Sequence, residues 1–492
     1  MALNPKAGHG VSLAALLGEP QAPGLPVSGL QLDSRQVRTG DLFLALPGAL
    51  YDGRDFIGDA VAAGAVAVLA ESGVSSWQRA AAGSTPLLQR EGLSEQLGSL
   101  AAAFHGNPSQ DMFVAGITGT NGKTTTSRLA AQLLRSRYSQ CGVIGTLGAV
   151  LDDSTDEALN TTPDALQLQQ QLAEWRDHGV GHVVLEVSSH SLVQGRVNQT
   201  CIDTAVFTNL THDHLDYHGD MRQYAHAKAK LFDLDSISTA VINLDDAFAE
   251  TLRLRSSVEL VGFSLTKPDA ALGVGDIRHG NDGIRARLHS PWGQGDLHCP
   301  LPGDFNLANL LAAIGIACSA GLSLDEVLLQ SSSLRGVPGR MEYVSNQRGL
   351  QLVVDYAHTP DALLHALTVL RPHTQGQLIC VFGCGGGRDA EKRPLMGRVA
   401  SGYADRVIVT SDNPRDEAPE RIIDDVVAGC ETGVEVEVDR ADAITLALSG
   451  ARPGDCILVA GKGHERYQQV GADRLPFSDV RQLRLAAGGA EQ

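Results

Sequence analysis

No run of about 18 apolar residues occurs in this chain, so the sequence predicts no transmembrane helix. Positive charge is also scarce: 39 Lys and Arg stand against 57 Asp and Glu, a net charge of −18. That deficit excludes a general binder of nucleic acid or of membrane surfaces, since either needs a basic face. It leaves room for a locally basic pocket that takes a small anion. The eight Cys, at 141, 201, 299, 318, 380, 384, 430 and 456, form no CxxC pair. Zinc and redox motifs are therefore not signalled, and buried free thiols in a reducing compartment are the simpler expectation. The N-terminal apolar run is short and lacks the charged start of a signal peptide, so the chain reads as cytoplasmic. Aromatic residues make up only 4%, whereas Gly numbers 54. Cores of Ala, Val and Leu, joined by many tight loops, are expected.

What is present is an alternation of strand-like and helix-like segments over a length of 492 residues, enough for about three domains. Phe104-His-Gly-Asn-Pro108 and Gly336-Val-Pro-Gly339 are punctuated as boundaries. They divide the chain into 1–107, 108–337 and 338–492. In the middle segment, strands are expected at Met112–Ile117, His182–Val187, Thr204–Phe207 and Thr239–Ile242. Helices are expected near Lys123–Arg135, Asp164–Trp175, Met221–Phe232 and Asn306–Gly321. Such alternation predicts a doubly wound, mostly parallel sheet. Residues 258–300 read as a small antiparallel excursion. Beyond Gly339 a fresh α/β set begins, with strands at Leu352–Asp355, Leu378–Phe382, Arg406–Thr410 and Ile457–Ala460. The fold class is therefore α/β, with a central phosphate-loop domain, a Rossmann-like C-terminal domain and a smaller N-terminal α/β domain.

The sharpest local signal is Gly116-Ile-Thr-Gly-Thr-Asn-Gly-Lys-Thr-Thr125, between an expected strand and an expected helix. Glycines let backbone N–H groups turn inward around a phosphate, and the helix N-terminus adds partial positive charge. Lys123 can reach terminal phosphates, and the Thr124 hydroxyl can hold Mg²⁺. The usual spacing would put Gly at 117, where Ile117 stands, so this is a shortened variant. A Gly-rich turn that only caps a helix is the plainer alternative.

Downstream lie further candidates. Glu186 closes a strand, where carboxylates face phosphate loops in such sheets, and is a candidate Mg²⁺ ligand. Thr208-Asn-Leu-Thr-His-Asp-His-Leu-Asp-Tyr-His218 concentrates His and Asp without any common zinc spacing. Hydrogen-bonded loop histidines are an equally good account of it. Lys228 reads as an exposed helix lysine on composition alone. Asn306 and Asn309 share one helix face. Thr161 and Thr162 precede Pro163 and could serve as a helix N-cap or as ligand hydroxyls.

The form Gly119-Thr-Asn-Gly-Lys-Thr-Thr125 resembles the ATP loop of the Mur ligase family, which also includes folylpolyglutamate synthetases. These enzymes phosphorylate a carboxylate and then condense it with an amine. The resemblance implies ATP as co-substrate, held by Gly119, Thr120, Asn121, Gly122, Lys123, Thr124, Thr125, Asn306, Arg340 and Asp355. It further implies Mg²⁺ on Thr124, Glu186, His214 and Lys228, with Lys228 carbamylated. Lys123, Glu186, His214 and Lys228 are the implied catalytic set. Leu32-Asp-Ser-Arg35 with Gly40-Asp-Leu-Phe43 resembles the UDP-binding domain of the family branch that adds the third peptide residue. Asn160-Thr-Thr-Pro-Asp164 and Ser188 with Gln194-Gly-Arg196 are similar to the same branch. Contacts to a UDP-muramyl dipeptide are thereby implied for Leu32, Ser34, Asn160, Thr161, Thr162, Ser188, Gln194 and Arg196. Ser411-Asp-Asn-Pro-Arg415, with Gly383-Cys-Gly-Gly-Gly-Arg388 and Gly461-Lys-Gly-His-Glu465, resembles the segment that recognises meso-diaminopimelate. Arg388 and Arg415 would pair with its far carboxylate, and Asp412 and Glu465 with its ammonium, beside Asn413, Pro414 and Gly461. The implied reaction is amide formation on the D-Glu of UDP-N-acetylmuramoyl-L-Ala-D-Glu through an acyl phosphate, in peptidoglycan precursor synthesis, by a monomer with small-molecule partners only. A lysine-adding ligase, a folate-type glutamate ligase and a non-catalytic nucleotide switch are the competing readings.

Overall fold

A computed structural model describes residues 11–48, 51–152, 160–280, 283–431 and 433–488. Residues 1–10, part of the stretch read above for a leader, lie outside the described residues, as do 489–492 at the end of the third predicted domain. By packing, the chain forms two compact units. One comprises residues 1–116, 138–205 and 230–239; the other comprises 117–137, 206–229 and 240–492.

The first unit contains a four-stranded parallel sheet in the order Gly29–Gln31, Asp41–Ala45, Ala67–Glu71, Leu87–Arg90. Period-2 alternation sends its side chains to two cores. Leu42, Leu44, Ala67 and Leu69 pack with Leu13, Leu16, Leu93 and Leu100. Phe43, Ala45, Val68 and Ala70 pack on the other face with Ile57 and Ala60. The polar Tyr51–Asp55 loop continues into a 3₁₀ turn at Gly53–Phe56. The same unit holds Gly148–Val150, Gly142–Gly145 and His182–Glu186 as neighbouring strands. Val183–Leu185 runs parallel to Gly142–Ile144. Gly142 is required there, because a Cβ would stand 2.3 Å from the Trp175 ring. Helix Ala165–Asp177 carries that ring, and its N-cap is Asp164, which accepts from Leu166 N and Gln167 N. The Thr pair before Pro163 is therefore not the cap.

The strand Thr239–Asn243 enters the second unit at Ala240, and Glu259–Ser264, Leu272–Gly280, Gly283–Ser290 and Gly293–Cys299 follow it across a sheet. The expected antiparallel excursion is antiparallel only from Leu272 onward. Phe263 pairs in parallel with Leu272, so the ribbon extends the sheet and is not a separate element. Helix Lys123–Tyr138 runs longer than expected, and helix Met221–Ala229 passes into a 3₁₀ turn at Lys230. Helix Asp304–Ser319 is buried along nearly its whole length.

The C-terminal sheet has the order Glu342–Val344, Gln351–Asp355, Cys456–Ala460, Leu378–Phe382, Arg406–Val409, Glu435–Val436. It is parallel except for its first pair. Cys380, Phe382 and Leu458 face Leu363, Leu367, Met396 and Ile422 on one side. Ile379, Val381, Ile457 and Val459 face Ile444, Leu448 and Leu483 on the other. This is the doubly wound arrangement the sequence predicts. Loops at the carboxyl ends of its parallel strands, where ligands bind in such sheets, carry residues 356–359, 383–388, 410–415 and 461–465. All eight cysteines are free thiols.

Candidate active site

The phosphate loop is built around two glycines at which a side chain would bring both collision and backbone strain. Gly119 has φ +150, and a Cβ there would meet Thr208 Oγ1 at 1.8 Å. Gly122 has φ +86, and its Cβ would meet Asn309 Oδ1 at 2.3 Å. The loop is braced from residues 208–211. Asn209 O accepts from Thr120 N at 2.9 Å, and Asn209 Oδ1 accepts from Asn121 N at 2.8 Å. Thr208 Oγ1 donates to Asn121 O at 2.6 Å, and Thr211 N donates to Thr120 Oγ1 at 3.0 Å. Sequence reading singled out the His and Asp of this segment and passed over Thr208 and Asn209, whose amide and hydroxyl fix the loop. Of Asn306 and Asn309, which share a helix face, the resemblance assigns only Asn306 to the ATP site. It is Asn309 that reaches the loop, while Asn306 donates to Pro302 O at 2.8 Å within its own turn.

Two lysines meet at this loop. Lys123 Nζ donates to Gly119 O and Thr120 O, each at 2.8 Å. Lys228 is not the exposed helix lysine composition suggests: it is buried at 1% exposure and donates to the same Gly119 O at 2.8 Å. Its Nζ lies 4.3 Å from the centroid of the Tyr224 ring, and the Tyr224 hydroxyl is 3.1 Å from Thr120 Oγ1. Burial, reinforced by the nearby Lys123 ammonium and opposed by Asp213, holds the Lys228 amine well below the ordinary lysine range. A neutral amine in that position is nucleophilic.

His214 adopts the left-handed backbone (φ +55) and places Nε2 3.4 Å from Asp213 Oδ2. Burial alone would raise the Asp213 carboxyl, but His214, His358 and Lys392 outweigh it and draw it down to about 2. His358 Nδ1 donates to Tyr356 O at 2.8 Å, and burial with nearby Lys392 lowers the ring to about 4. Arg340 Nη2 donates to Thr124 Oγ1 at 3.4 Å and its guanidinium lies over the Tyr356 ring. Asp355 Oδ2 accepts from Met341 N at 2.7 Å, fixing the turn that carries Arg340. Thr125 is buried in the first turn of the loop's helix.

At the carboxyl end of the C-terminal sheet, three predicted segments converge. A Cβ on Gly383 would stand 2.2 Å from Thr410 O, on Gly386 2.0 Å from Pro414 O, and on Gly461 2.6 Å from Asp412 Oδ2. Arg415, itself in the left-handed region at φ +52, donates from Nη1 to Gly386 O at 2.6 Å. Arg388, on the loop 383–388, is exposed. Asn413 Nδ2 donates to Glu465 Oε2 at 2.8 Å. Lys462, unremarked in the sequence reading, is fully buried and donates to Asn413 Oδ1 at 2.9 Å and Glu465 Oε2 at 3.0 Å.

The first unit holds the remaining predicted residues. Glu186 is buried at the end of its strand, accepting from Thr146 N at 3.2 Å and Thr146 Oγ1 at 3.1 Å. Thr161 Oγ1 lies 3.2 Å from Thr146 Oγ1. Thr162 is fully buried, and its hydroxyl donates to Glu186 O at 2.8 Å. The same hydroxyl accepts from Ser188 N at 3.1 Å, so Thr162 ties the segment 160–164 to the end of the Glu186 strand. Ser188 caps the helix Ser189–Val193. Arg196 donates to Thr162 O at 2.7 Å and Gln194 Oε1 at 2.8 Å. A cavity of about 230 Å³ is lined by Asn160, Gln194 and Arg196, together with Ser94, Leu97 and Asp164. Leu32 and Ser34 lie half-buried at the edge of the N-terminal sheet, where Asp33 caps a 3₁₀ turn.

No helix among the described residues is long and apolar enough to cross a membrane. Nor does any group of three or more His, Cys, Asp or Glu among them form a metal cage.

Comparison with known proteins matches the chain to three family descriptions: "Mur ligase family, catalytic domain" over residues 26–105, "Mur ligase middle domain" over 117–317, and "Mur ligase, glutamate ligase domain" over 339–463. A protein of Coxiella burnetii named UDP-N-acetylmuramoyl-L-alanyl-D-glutamate–2,6-diaminopimelate ligase is 46% identical, over 94% of this chain and 95% of its own. One of the same name from Pseudomonas aeruginosa is 46% identical, over 96% and 97%. A solved structure of that name superposes with a TM-score of 0.70 at 38% identity, covering 97% of this chain and 99% of its own.

Proposed function

This chain belongs to the Mur ligase family, and on that premise we propose that it joins 2,6-diaminopimelate to the D-Glu of UDP-N-acetylmuramoyl-L-Ala-D-Glu at the expense of ATP, in peptidoglycan precursor synthesis. The observation that carries the choice of amino acid is the convergence of residues 383–388, 411–415 and 461–465 at one sheet end, with Arg415, Arg388, Asp412 and Glu465 supplying both signs of charge. A substrate with a second ammonium–carboxylate centre suits such a set. The meso isomer is the proposed form.

In the proposed reaction a D-Glu carboxylate oxygen attacks the γ-phosphorus of ATP, and ADP leaves. The diaminopimelate amine then attacks the acyl carbon, the carbon–oxygen bond to phosphate breaks, and the amine loses a proton. Residues 119–125 cradle the phosphates through backbone N–H groups, and Lys123, released from the loop carbonyls, follows the transferring charge. Asn306, Arg340 and Asp355 belong to the ATP site, with Arg340 held against Tyr356. Leu32, Ser34, Asn160, Thr161, Thr162, Ser188, Gln194 and Arg196 are assigned to the UDP-linked substrate. That assignment is supported by the cavity that three of them line.

Mg²⁺ would be held by Thr124, Glu186, His214 and Lys228. A hard cation bound chiefly through substrate phosphates and water needs few protein ligands, so the donor set suits it. When bound it supplies charge neutralisation on the phosphate oxygens. Lys228 fits only as its carbamate. Its buried amine, held below the usual lysine range, supports that modification by CO₂. The same reading takes the enzyme as a cytoplasmic monomer with domains over 1–107, 108–337 and 338–492.

Incubation with ATP, Mg²⁺, the UDP-linked dipeptide and diaminopimelate tests the proposal. The nucleotide product should gain the mass of one diaminopimelate less one water, with one phosphate released. An unchanged nucleotide mass would contradict it.

A further inference from the structure

Glu465 and Asn413 sit on different loops, yet both are held by one buried cation. Lys462 is inaccessible to solvent, so it cannot touch a ligand. Its Nζ is committed to Asn413 Oδ1 and Glu465 Oε2. Asn413 is nearly exhausted by the same network, because Oδ1 also accepts from Gln469 N at 2.8 Å and Nδ2 donates to Glu465 Oε2. The two side-chain bonds that Glu465 accepts from Lys462 and Asn413 both fall on Oε2, so Oε1 takes part in neither, on a side chain that is 17% exposed.

A second buried cation ties the same two loops at their roots. Arg440 is 1% exposed and forms a bidentate pair with Asp479 at 2.7 and 2.8 Å. It also donates to Ala460 O at 2.8 Å and Ser411 O at 3.5 Å, the residues from which the loops 411–415 and 461–465 depart. Buried cations are costly unless paired and hydrogen-bonded. Both of these are paired with a carboxylate and hydrogen-bonded, and every bond named here ends on one of the two loops, on Ala460 at the root of one, or on Asp479.

Resting on the ligase reading above, we propose that Lys462 is a specificity-determining positioning residue. By engaging Oε2 of Glu465 and Oδ1 of Asn413, it aims Oε1 of Glu465 at the far ammonium of the amino-acid substrate. Arg440 fixes the loop roots that make this possible. Asn413 then acts as part of the frame and not chiefly as a ligand. Without Lys462, Glu465 keeps one neutral anchor, its carboxylate swings, and the far ammonium is no longer distinguished from its absence.

The test compares kcat/KM for diaminopimelate with that for 2-aminopimelate, which keeps the far carboxylate and lacks the far ammonium. In Lys462→Met the preference for diaminopimelate should fall by about tenfold, carried by a rise in KM for the amino acid, while KM for ATP stays within about twofold. Combining Lys462→Met with Glu465→Gln should cost little beyond the worse single variant, because both act through one carboxylate. A preference unchanged in Lys462→Met would overturn the proposal and leave a structural role only. Should Lys462→Met not fold, Lys462→Gln decides. It keeps a donor but loses the ion pair, so the proposal requires an intermediate preference, and an unchanged one overturns it. Failure of the ligase reading looks different: the wild-type protein would then use neither amino acid.

Discussion

Lys123 and Lys228 donate to one backbone oxygen, Gly119 O, each at 2.8 Å. Two ammonium groups sharing an acceptor in a buried setting repel each other, and the more buried of the two bears the cost. Lys228 is that one, and its amine is held low by burial first and by this repulsion second. Conversion to a carbamate would turn the repulsion into attraction.

A first prediction concerns Lys228. Native mass spectrometry of protein prepared in bicarbonate should show a gain of one CO₂ that Lys228→Ala abolishes. The variant should lose most activity, roughly a hundredfold or more, as expected on loss of a ligand or charge at a phosphoryl-transfer site. Small added carboxylates that fill the space should recover part of it. The unmodified amine also has a stability consequence. Its folded pKa is lowered, so it favours the folded state above the ordinary lysine pKa and loses that advantage as pH falls to its folded value. Unmodified protein should therefore be less stable at neutral pH than carbamylated protein, measured as Tm with and without bicarbonate.

Gly122 offers a cleaner test of the loop. Alanine there meets both a positive φ and Asn309 Oδ1 at 2.3 Å. Backbone strain of this kind costs about 1–3 kcal/mol. Gly122→Ala should weaken ATP binding by roughly tenfold to a hundredfold, read by calorimetry. Adding Asn309→Ala should restore only the part owed to the collision.

His105 predicts an acid limb in stability. Burial first, and then the Arg176 guanidinium, lower it from 6.5 to about 4. The folded state therefore gains from this neutral ring above pH 6.5 and loses that gain as pH falls through 6.5 toward 4. Discounted for partial exposure, the contribution is about 2 kcal/mol. His105→Gln should flatten part of the fall in Tm between pH 7 and 4 and leave the alkaline side unchanged. An equal slope in both proteins would contradict it.

The sequence made the phosphate loop legible because strand, glycines, lysine and helix occur in a fixed order with one physical purpose. It made the C-terminal sheet legible because Leu378–Phe382 and Cys456–Ala460 are unbroken apolar runs. Side-chain commitments were not legible. Asn306 and Asn309 share a helix face, and only packing against Gly122 tells them apart. Thr162 looks like Thr161 until its hydroxyl is found on Glu186 O. Lys228, Lys462 and Arg440 belong to residue types that are mostly exposed, and composition gives no sign that all three are buried. The parallel pairing of Phe263 with Leu272 was hidden for a related reason: short Gly-rich strands specify register weakly.

The account rests most directly on which amine the enzyme accepts. Phosphate release should be measured with ATP, Mg²⁺ and UDP-N-acetylmuramoyl-L-Ala-D-Glu, comparing meso-diaminopimelate with L-lysine. The arrangement of Arg415, Arg388, Asp412 and Glu465 predicts release with diaminopimelate and little with lysine, which has no far carboxylate. Arg415→Ala should raise KM for diaminopimelate by about tenfold or more. Release with lysine at an equal rate, or full activity in Arg415→Ala, would contradict it.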